Sequence, residues 1–572
     1  MIVCRASMST LLIVAGCNVF DHEIIAAVDD CATNADCATR FSADGSVPGV
    51  CVHGDVPRCV QLTSDDCKVI TGSPTSEDAI LIGSLFNITG SQAAANFPRQ
   101  DAAIMAVSEI NSVGGIVAQA GRKRPLAMLS CDVTADKQRA TDHLVKDLRV
   151  PAIIGPSSSS DVFALTATTG ANHTMMLTPT AFAASIVELG TPNGLTRLMV
   201  PTDKQRIKLF HNQIAEVEQQ LKVARPGRAL KLAIYYRNDL TGTGTRDGLA
   251  NLTFNNVPLT DNLNNGTASS VGYDPVAAAA PGWKDQATVD LYVSGVAPRP
   301  AFLPDIIVMV GGVESVVGFF NTLEDTWLAR IPGVARPYWI VSDAAKQPAI
   351  LTKIGGGATV NDNLRLRVRG TGLTTADPVA AGAFNAFQQH FNEFWATRTT
   401  SAGAPYPSTT AAAIGMGPTY DAVYAVAFGL AAARTASDST TYIEHPTGDD
   451  IARGITRISD TAAGTQIQLG DTAGTVSALR ELAAGRTVFA TGTFGPLQWD
   501  TTGAKRGGQV NMWCVSALPT ATTSSFKDST VVLDVASSAY LPPNPTGQYF
   551  TIIPPSDRGP PANCAPINRL PD

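Results

Sequence analysis

The sequence predicts an α/β protein with more than one folding unit. Between residues 80 and 181, short apolar runs alternate with helical stretches in the order βαβαβαβ, a pattern typical of a parallel sheet covered by helices. A serine-rich loop lies between a strand and a helix within 150–181. The chain has 572 residues, more than one domain usually holds, so at least two such units are expected.

The predicted elements follow one another closely along the chain. Residues 80–90 have the pattern of a buried strand and its loop, and they lead into an amphipathic helix that ends at Gly114 and Gly115. Residues 124–132 form the next predicted strand. A third apolar run ends at Gly155 and continues into the serine loop.

The serine loop holds residues 157–160, with Asp161 directly after it. These residues stand between a strand and the start of a helix, where several backbone N–H groups have no partner within the helix. Hydroxyl groups and free N–H groups at a helix N-terminus favour the binding of an anion. The loop that follows the next strand, through Thr180 and Ala181, carries further hydroxyl groups.

The composition is that of a secreted globular protein. Hydrophobic residues make up 44% of the chain, charged residues only 16%, and the net charge is −7. This mild charge, without a basic cluster, argues against nucleic acid and against an anionic membrane surface as partners. After the first twenty residues, no apolar run is long enough to span a bilayer.

The first seventeen residues predict a lipoprotein signal peptide. One basic residue, Arg5, precedes the apolar stretch 11–16, and the segment 14–17 resembles a bacterial lipobox that ends at Cys17. After cleavage, lipid on Cys17 would tether a water-soluble body to a membrane, with no other membrane contact. The alternative is a misassigned start, in which Cys17 is a buried cysteine.

Cysteine usage indicates an oxidising compartment. With Cys4 and Cys17 set aside, eight cysteines remain, and five of them fall between residues 31 and 67 in a polar, glycine-rich segment. Such a segment cannot form a hydrophobic core and needs covalent cross-links. We predict two disulfide bonds, with three connectivities open, among Cys31, Cys37, Cys51 and Cys59.

Two further disulfide bonds are predicted outside this group. Cys514 with Cys564 would fasten the tail, which leaves Cys67 with Cys131. A zinc site is the alternative for the cysteine-rich segment, but its spacings lack the C-x-x-C pairs of structural zinc sites. Only His53 lies within the segment, so neither a metal nor a cofactor is expected.

Several of these segments together resemble the type I periplasmic ligand-binding proteins, in the branch of the branched-chain amino-acid receptors. The first half of the resemblance rests on 82–90, 109–116, Cys131 with Asp132, 150–160 and 176–181. The second half rests on 231–244, 304–312, 337–344, 417–433 and 494–503, in the order of the family. About four-fifths of the chain is covered, and the order of weak motifs carries the resemblance.

The resemblance implies two Rossmann-like lobes joined by three crossovers, with a disulfide-rich N-terminal extension. The crossovers would lie at 198–203, 365–371 and 489–495, and they would act as a hinge. The implied division of the chain is a signal peptide 1–17, a spacer with the cysteine-rich module 18–77, lobe 1 at 78–199 and 370–488, lobe 2 at 200–369 and 489–540, and a proline-rich tail 541–572.

The resemblance also implies a ligand site between the lobes. A ligand carboxylate would bind hydroxyl and N–H groups of Ser157, Ser158, Ser159 and the loop Thr180, Ala181 and Phe182 of lobe 1. Its ammonium would pair with Asp343 of lobe 2, and Asp203 is a second acid for that role. Both charges of a zwitterion need such partners because it loses water on binding.

Three departures from the pattern of the family leave the ligand class open. Phe182 replaces a hydroxyl residue, Thr241 replaces an aromatic residue that closes over the ligand, and Phe86 with Asn87 adds an aromatic ring and an amide. An aromatic acid, an amide or a small peptide is therefore an alternative to an amino acid. Phe182 is equally consistent with plain packing beneath the loop.

No enzyme is predicted, because the sequence lacks the H-E-x-x-H, Walker and G-x-S-x-G motifs and places no histidine near the serine loop. The predicted function is capture of an amino acid or similar small polar ligand and its delivery to an ABC-type permease. One alternative is a lipid-anchored sensor with a signalling partner. Another is a surface interaction protein whose cleft is blocked by side chains, with Phe182 the first position to inspect.

Overall fold

The computed structural model describes residues 31–541 apart from residues 55, 119–120, 190–193, 374–380, 404–413, 435–440, 459–463 and 518–522. In these ranges the chain alternates between strands and helices, as the sequence predicts. No helix among the described residues has the length and apolar character needed to cross a bilayer.

The strands, numbered in chain order, are β1 (Gly49–Val52), β2 (Arg58–Gln61), β3 (Cys67–Thr71), β4 (Ile80–Phe86), β5 (Ile116–Val117), β6 (Lys123–Arg124), β7 (Leu126–Asp132), β8 (Ala152–Ile154), β9 (Met175–Thr178), β10 (Thr196–Leu198), β11 (Leu232–Arg237), β12 (Thr253–Phe254), β13 (Val257–Pro258), β14 (Ala268–Tyr273), β15 (Ile306–Val310), β16 (Tyr338–Val341), β17 (Val368–Leu373), β18 (Thr465–Gln468), β19 (Val488–Gly492), β20 (Gly495–Pro496), β21 (Gln509–Ser516), β22 (Ser525–Asp534) and β23 (Ala539–Leu541).

The α-helices are α1 (Ala93–Ser112), α2 (Lys137–Asp142), α3 (Ser159–Ala171), α4 (Ser185–Glu188), α5 (Asp203–Ala224), α6 (Leu240–Gly248), α7 (Leu259–Asn265), α8 (Pro275–Ala278), α9 (Gln286–Val293), α10 (Val313–Ser315), α11 (Asn321–Arg330), α12 (Pro348–Ile354), α13 (Asp362–Arg365), α14 (Ala381–Trp395), α15 (Met416–Ala432), α16 (Gly448–Ile455) and α17 (Thr472–Ala483).

The first sheet has the strand order β10-β9-β8-β4-β7-β3. Its strands are parallel except β3, which pairs antiparallel with β7. The strands β4, β7, β8 and β9 are almost continuously apolar and buried, as expected for a parallel sheet covered on both faces. Counted from β4, the parallel strands lie in the order 2-1-3-4-5, a doubly wound arrangement.

The second sheet begins with the order β14-β11-β15-β16-β17, and these strands are parallel. Counted from β11, they repeat the order 2-1-3-4-5 of the first sheet. Three antiparallel strands, β21, β22 and β23, extend this sheet beyond β17. The chain thus contains two α/β units with one shared topology, as predicted.

The core of the first unit is built around α15. Each of its residues from Met416 to Ala432 is buried, and it packs against α1 and α16. The same core includes residues of β4 and β8 together with Val488 and Ala490 of β19. The later segments α14 to β19 therefore return to the unit that contains the first sheet.

The second unit has an apolar core on each face of its sheet. One face packs against α9 and α11 through residues such as Val289 and Leu323, and the other packs against α5 through residues such as Ile214. A buried ion pair joins Arg367 and Glu324 within this unit, with 2.7 Å between Nη2 and Oε2.

The sheet to which each strand belongs can be compared with the predicted limits of the lobes. The strand β17, Val368–Leu373, lies in the second sheet over its whole length, so that crossover follows residue 373 instead of lying within 365–371. The strands β19 and β20 pair with each other beside the first core, and the chain reaches the second sheet only at β21. We propose the same two lobes with crossovers near 199, 374 and 497.

The disulfide bonds of the N-terminal module agree with the predicted number. Cys31 pairs with Cys51 and Cys37 with Cys59, which decides among the three connectivities. The pairing of Cys67 with Cys131 is also confirmed, and it links β3 to its neighbour β7. Cys514 is disulfide-bonded. The predicted partner Cys564 lies outside the described residues, as do the signal peptide with Cys17 and most of the proline-rich tail.

Candidate functional site

The candidate site lies where loops from the carboxyl ends of both parallel sheets meet. In open α/β sheets, ligands bind outside the carboxyl ends of the strands, where the strand order reverses. In the first lobe the loops after β4, β8 and β9 occupy this edge, and in the second lobe it is formed by the loops after β11, β15 and β16.

A glycine shapes the loop after β8. Gly155 has φ +99°, and a Cβ atom there would lie 2.2 Å from the carbonyl oxygen of Leu85. Only glycine allows both this conformation and this close approach. The turn leads from β8 into the serine loop, and the Ser158 hydroxyl accepts a hydrogen bond from the N–H of Asp161 as the N-cap of α3.

Asn96 on α1 connects the loops of the first lobe. Its Nδ2 donates to the carbonyl of Asn87 at 3.2 Å, and its Oδ1 accepts from Ser157 Oγ and from Arg99 Nη1, each at 2.9 Å. Arg99 in turn donates from Nε to the carbonyl of Ile414 at 2.9 Å. Asn96 is 2% exposed, so this buried amide fixes the relative position of several loops.

The loop after β9 satisfies its own polar groups. The buried hydroxyl of Ser159 accepts from the N–H groups of Phe182 at 3.2 Å and Ala183 at 3.3 Å. Thr180 Oγ1 donates to the carbonyl of Ser157 at 2.8 Å, and the N–H of Ala181 donates to Thr178 Oγ1 at 3.3 Å. The hydroxyls of Ser157, Ser159 and Thr180, which were predicted to hold a ligand carboxylate, are thus engaged with other protein groups.

Asp203 begins α5 directly after the first crossover. Its Oδ1 accepts from the N–H of Ala184 at 3.0 Å and from its neighbour Lys204 at 2.8 Å. The Ala184 N–H is the next donor of the loop after β9, and here a carboxylate of the protein takes it. Burial raises the pKa of Asp203, while these backbone hydrogen bonds oppose that change.

Arg206, one turn into α5, connects the two lobes. Its guanidinium carbon lies 4.5 Å from the centre of the Phe182 ring, which belongs to lobe 1. Its Nη1 forms an ion pair with Asp343, which follows β16 in lobe 2, and its Nε donates to the carbonyl of Pro201 at 2.9 Å. Its Nη2 is buried and has no hydrogen-bond partner.

The edge of the second lobe carries further charged groups. Arg237, at the end of β11, forms ion pairs with Asp239 at 2.8 Å and with Glu314 at 3.5 Å. The hydroxyl of Tyr273 donates to Glu314 Oε1 at 2.8 Å. Thr241 lies on the first turn of α6, beside this group, and is half-buried.

Apolar contacts also join the lobes. Leu240 of α6 packs against a buried cluster of lobe 1 that includes Val162 and Ala181. Phe182 is 9% exposed and packs with Val200 and Phe494. The loops of both carboxyl edges are therefore in direct contact. The chain resembles a type I periplasmic binding protein.

Some solved structures are similar to this chain. No family model and no curated protein matches it. Among solved structures it is similar to the branched-chain amino-acid transporter substrate-binding protein LivJ from Streptococcus pneumoniae in complex with isoleucine. That match has 16% identity and a TM-score of 0.48, and it covers 79% of this chain and 99% of LivJ.

Two further structures are similar. The leucine-binding protein LivK from Thermotoga maritima has 12% identity and a TM-score of 0.45, with 78% of this chain and 97% of LivK covered. An ABC-transporter solute-binding protein from R. palustris, in complex with 4-hydroxybenzoate, has 13% identity and a TM-score of 0.47, with 79% and 96% covered.

The structure places the predicted residues in three ways. Ser157, Ser159 and Thr180 lie together in the first-lobe loops of this binding-protein-like fold, whereas Asp343 lies opposite them in the second lobe. Phe86 is fully buried within the first core, so its predicted role of stacking on a ligand does not fit its position.

Sequence reasoning missed Arg206 and Asn96. Arg206 carried a signal, because a cation in the first turn of a helix opposes the helix dipole and is therefore unfavourable without another partner. Asn96 carried none, because an asparagine in the first turn of a helix is ordinary.

Two cavities of about 740 and 450 Å³ lie away from this site, beside α17 and beside α2.

Proposed function

We propose that this protein binds a small polar ligand between its two lobes and delivers it to an ABC-type permease. One observation carries the proposal: Arg206, directly after the first crossover, contacts Phe182 of one lobe and Asp343 of the other. A ligand at this point touches both lobes, which gives the closed state the differential affinity that closure requires.

The hinge follows from the connections. Three crossovers near 199, 374 and 497 join the lobes, and opening about them separates Leu240 from the lobe-1 cluster on which it packs. Part of the buried apolar surface is lost on opening, so the closed form has contacts of its own before ligand binds. The proposal includes lipid attachment at Cys17, which would hold the protein beside its permease.

A thermal-shift screen against amino acids, organic acids, amides and short peptides tests this function. A ligand that binds only the native state raises the melting temperature by mass action. We expect the shift to be lost in Asn96→Ala, because Asn96 holds the loops of Asn87 and Ser157 together. A panel without any shift in the wild-type protein would contradict the proposal.

The same helix offers a matched control. Asn111 on α1 also bonds to backbone, exchanging two hydrogen bonds of 2.8 Å with Leu126 at the opposite end of β7. The Asn111→Ala variant should melt at a lower temperature and still respond to ligand in full. An equal loss of response in both variants would mean that general destabilisation, and not the loops, accounts for the effect.

A second candidate function is an interaction or sensor protein without a small ligand. This candidate is favoured because the N–H groups of residues 182–184 already have protein acceptors. These acceptors are the hydroxyl of Ser159 and the carboxylate of Asp203. A fixed, closed form would display one surface permanently to a partner. Small-angle scattering that shows one compact form under all conditions would support this candidate.

A further inference from the structure

Asp343, the first acid predicted to bind a ligand ammonium, is already paired with a cation. In lobe 2, the carboxylate of Asp343 forms an ion pair with Arg206, and its other oxygen accepts from the N–H of Ala344 at 2.9 Å. Adding a ligand ammonium here means competing with a guanidinium that is 6% exposed. Desolvation of an ammonium that gains no free carboxylate is unfavourable.

The N–H donors of residues 182–184 in lobe 1 are also engaged. The N–H groups of Phe182 and Ala183 donate to the Ser159 hydroxyl, and that of Ala184 donates to Asp203. A ligand carboxylate at this loop would have to displace a protein group from each donor. Exchange of one acceptor for another gains little free energy.

A strong donor remains beside the Phe182 ring. Nη2 of Arg206 is buried without a hydrogen-bond partner, while the same guanidinium uses Nε and Nη1. A buried donor without an acceptor is costly, and more so when it carries charge. An acceptor oxygen supplied by a ligand removes this cost, and a charged donor forms a hydrogen bond roughly twice as strong as a neutral one.

The surroundings of this donor favour an apolar body on the ligand. The ring of Phe182 lies against the guanidinium, and Val200 and Phe494 complete an apolar cluster beside it. Such a wall contributes apolar contact area and offers no partner to a second charge. A carboxylate on an apolar or aromatic body therefore matches both the free donor and its surroundings.

We propose that the ligand class of this site is a carboxylate with an apolar body and no α-ammonium group, bound through Nη2 of Arg206. This inference rests on the proposed function, and it assigns Arg206 as the ligand anchor in place of Asp343. Asp343 then acts as a positioning residue that holds the guanidinium between Pro201 and the Phe182 ring.

Calorimetric titration with matched pairs tests the ligand class on the full, unmodified protein. The probes are hydrocinnamate against phenylalanine and isocaproate against leucine, which differ only in the amino group, with hydrocinnamamide as the uncharged analogue. We expect the carboxylates to bind at least about tenfold more tightly than the amino acids and the amide, from the usual strength of a hydrogen bond to a charged group.

Variants separate the two roles. Arg206→Gln should weaken carboxylate binding at least about tenfold, since the charged donor is lost. Asp343→Asn should leave the affinity for the carboxylates unchanged or raise it, because Arg206 loses a competing carboxylate. If a zwitterion instead binds through Asp343, this variant loses that binding. Arg246→Gln is the matched control, since Arg246 also stacks on an aromatic ring, Tyr236, and pairs with its neighbour Asp247.

The outcomes distinguish this inference from the proposed function. Amino acids that bind as well as or better than their deaminated partners, with binding lost in Asp343→Asn, would overturn the inference and leave the solute-binding function in place. If another class of ligand binds, and neither the carboxylate nor the amino acid of either probe pair binds, the inference is also overturned and the solute-binding function remains. A wild-type protein that responds to nothing in the broader panel would overturn both.

Discussion

The two lobes share one strand order and yet differ in the chemistry of their carboxyl edges. In lobe 1 the loops close on themselves through hydroxyl, amide and backbone groups, with Ser159 and Asn96 at the centres. In lobe 2 the corresponding edge carries ionised groups, Arg237, Glu314 and Asp343. The strand order thus determines where a site lies, whereas the charge of that site depends on side chains that the strand order does not determine.

The interiors of the two lobes also differ in how many charged groups their central elements enclose. The central helix of lobe 1, α15, is buried on every side and contains one carboxyl group, that of Asp421. Lobe 2 encloses the ion pair of Arg367 and Glu324, whose carboxylate also accepts from Trp339 Nε1 at 2.7 Å. The stability of lobe 2 therefore depends more on compensated charge, and that of lobe 1 more on apolar packing.

Among the substitutions that test this difference, we expect Glu324→Gln to lower the free energy of unfolding the most. The substitution keeps the shape and an acceptor for Trp339, but it leaves the guanidinium of Arg367, 1% exposed, without its counter-charge. We expect a loss of about 3–5 kcal/mol in the free energy of unfolding. Urea unfolding followed by tryptophan fluorescence measures it, since Trp327, Trp339 and Trp513 are buried in the lobe-2 core.

An exposed pair in lobe 1 provides the control. Glu481, in the last turn of α17, forms an ion pair at the surface with Arg486, which follows the helix. We expect Glu481→Gln to leave the unfolding midpoint almost unchanged, because exposed pairs contribute little. Equal losses in the two variants would mean that the buried pair has no special weight in lobe 2.

The next effect is a pH dependence that belongs to lobe 1. Burial raises the pKa of Asp421 to about 6, although hydrogen bonds from Thr493 and Phe494 and the charge of Lys505 oppose this. Between about pH 4 and 6, the folded protein holds a proton that the unfolded chain has released. This contribution to stability is complete below about pH 4, and up to about 3 kcal/mol of it is lost as the pH rises to about 6.

Asp421→Asn should remove that decline. The comparison is the unfolding free energy of wild type minus that of the variant, measured between about pH 4 and 6. Lys505 stays protonated in this range, since burial lowers its pKa only to about 8. A difference that stays constant with pH would contradict the assigned titration.

The smallest predicted effects compare one buried serine from each edge. The Ser159→Ala variant leaves two N–H groups, of Phe182 and Ala183, without an acceptor. In lobe 2, Ser342→Ala removes one acceptor from the N–H of Gly311 and one donor to its carbonyl. We expect losses of about 1–3 kcal/mol, larger for Ser159, because unpaired buried donors are the costlier defect.

Hydrogen exchange reads out this comparison at the backbone. Exchange of the amides of Phe182 and Ala183 should accelerate in Ser159→Ala, and that of Gly311 should accelerate in Ser342→Ala. Unchanged protection in Ser159→Ala would mean that water replaces the hydroxyl and that the loop is more open than its hydrogen bonds indicate.

Much of the fold could be predicted from the sequence. Buried parallel strands such as β4 and β15 appear as short apolar runs, and the N-cap Ser158 marks the start of its helix. Cysteine content in a segment poor in large apolar residues predicted the two bonds of the module. These features are local, so a short window of sequence contains them.

The partners within the candidate site could not be predicted in this way. Arg206 and Asp343 are 137 residues apart and form an ion pair. Asp203 reaches Ala184 across the crossover in a similar manner. Which acid remains free for a ligand depends on such long-range pairing. The sequence therefore predicted loops for a ligand site but not the pairing of Asp343 with Arg206.

The cross-link of Cys67 with Cys131 also has a mechanical consequence. The strand β3, which follows the N-terminal module, lies antiparallel along the outer edge of the first sheet and is covalently joined to β7. A pull on the N-terminus is therefore resisted in shear by the backbone hydrogen bonds of this pair and by the covalent bond. In the proposed lipid-anchored form, lobe 1 would therefore be the tethered body and lobe 2 the one that moves.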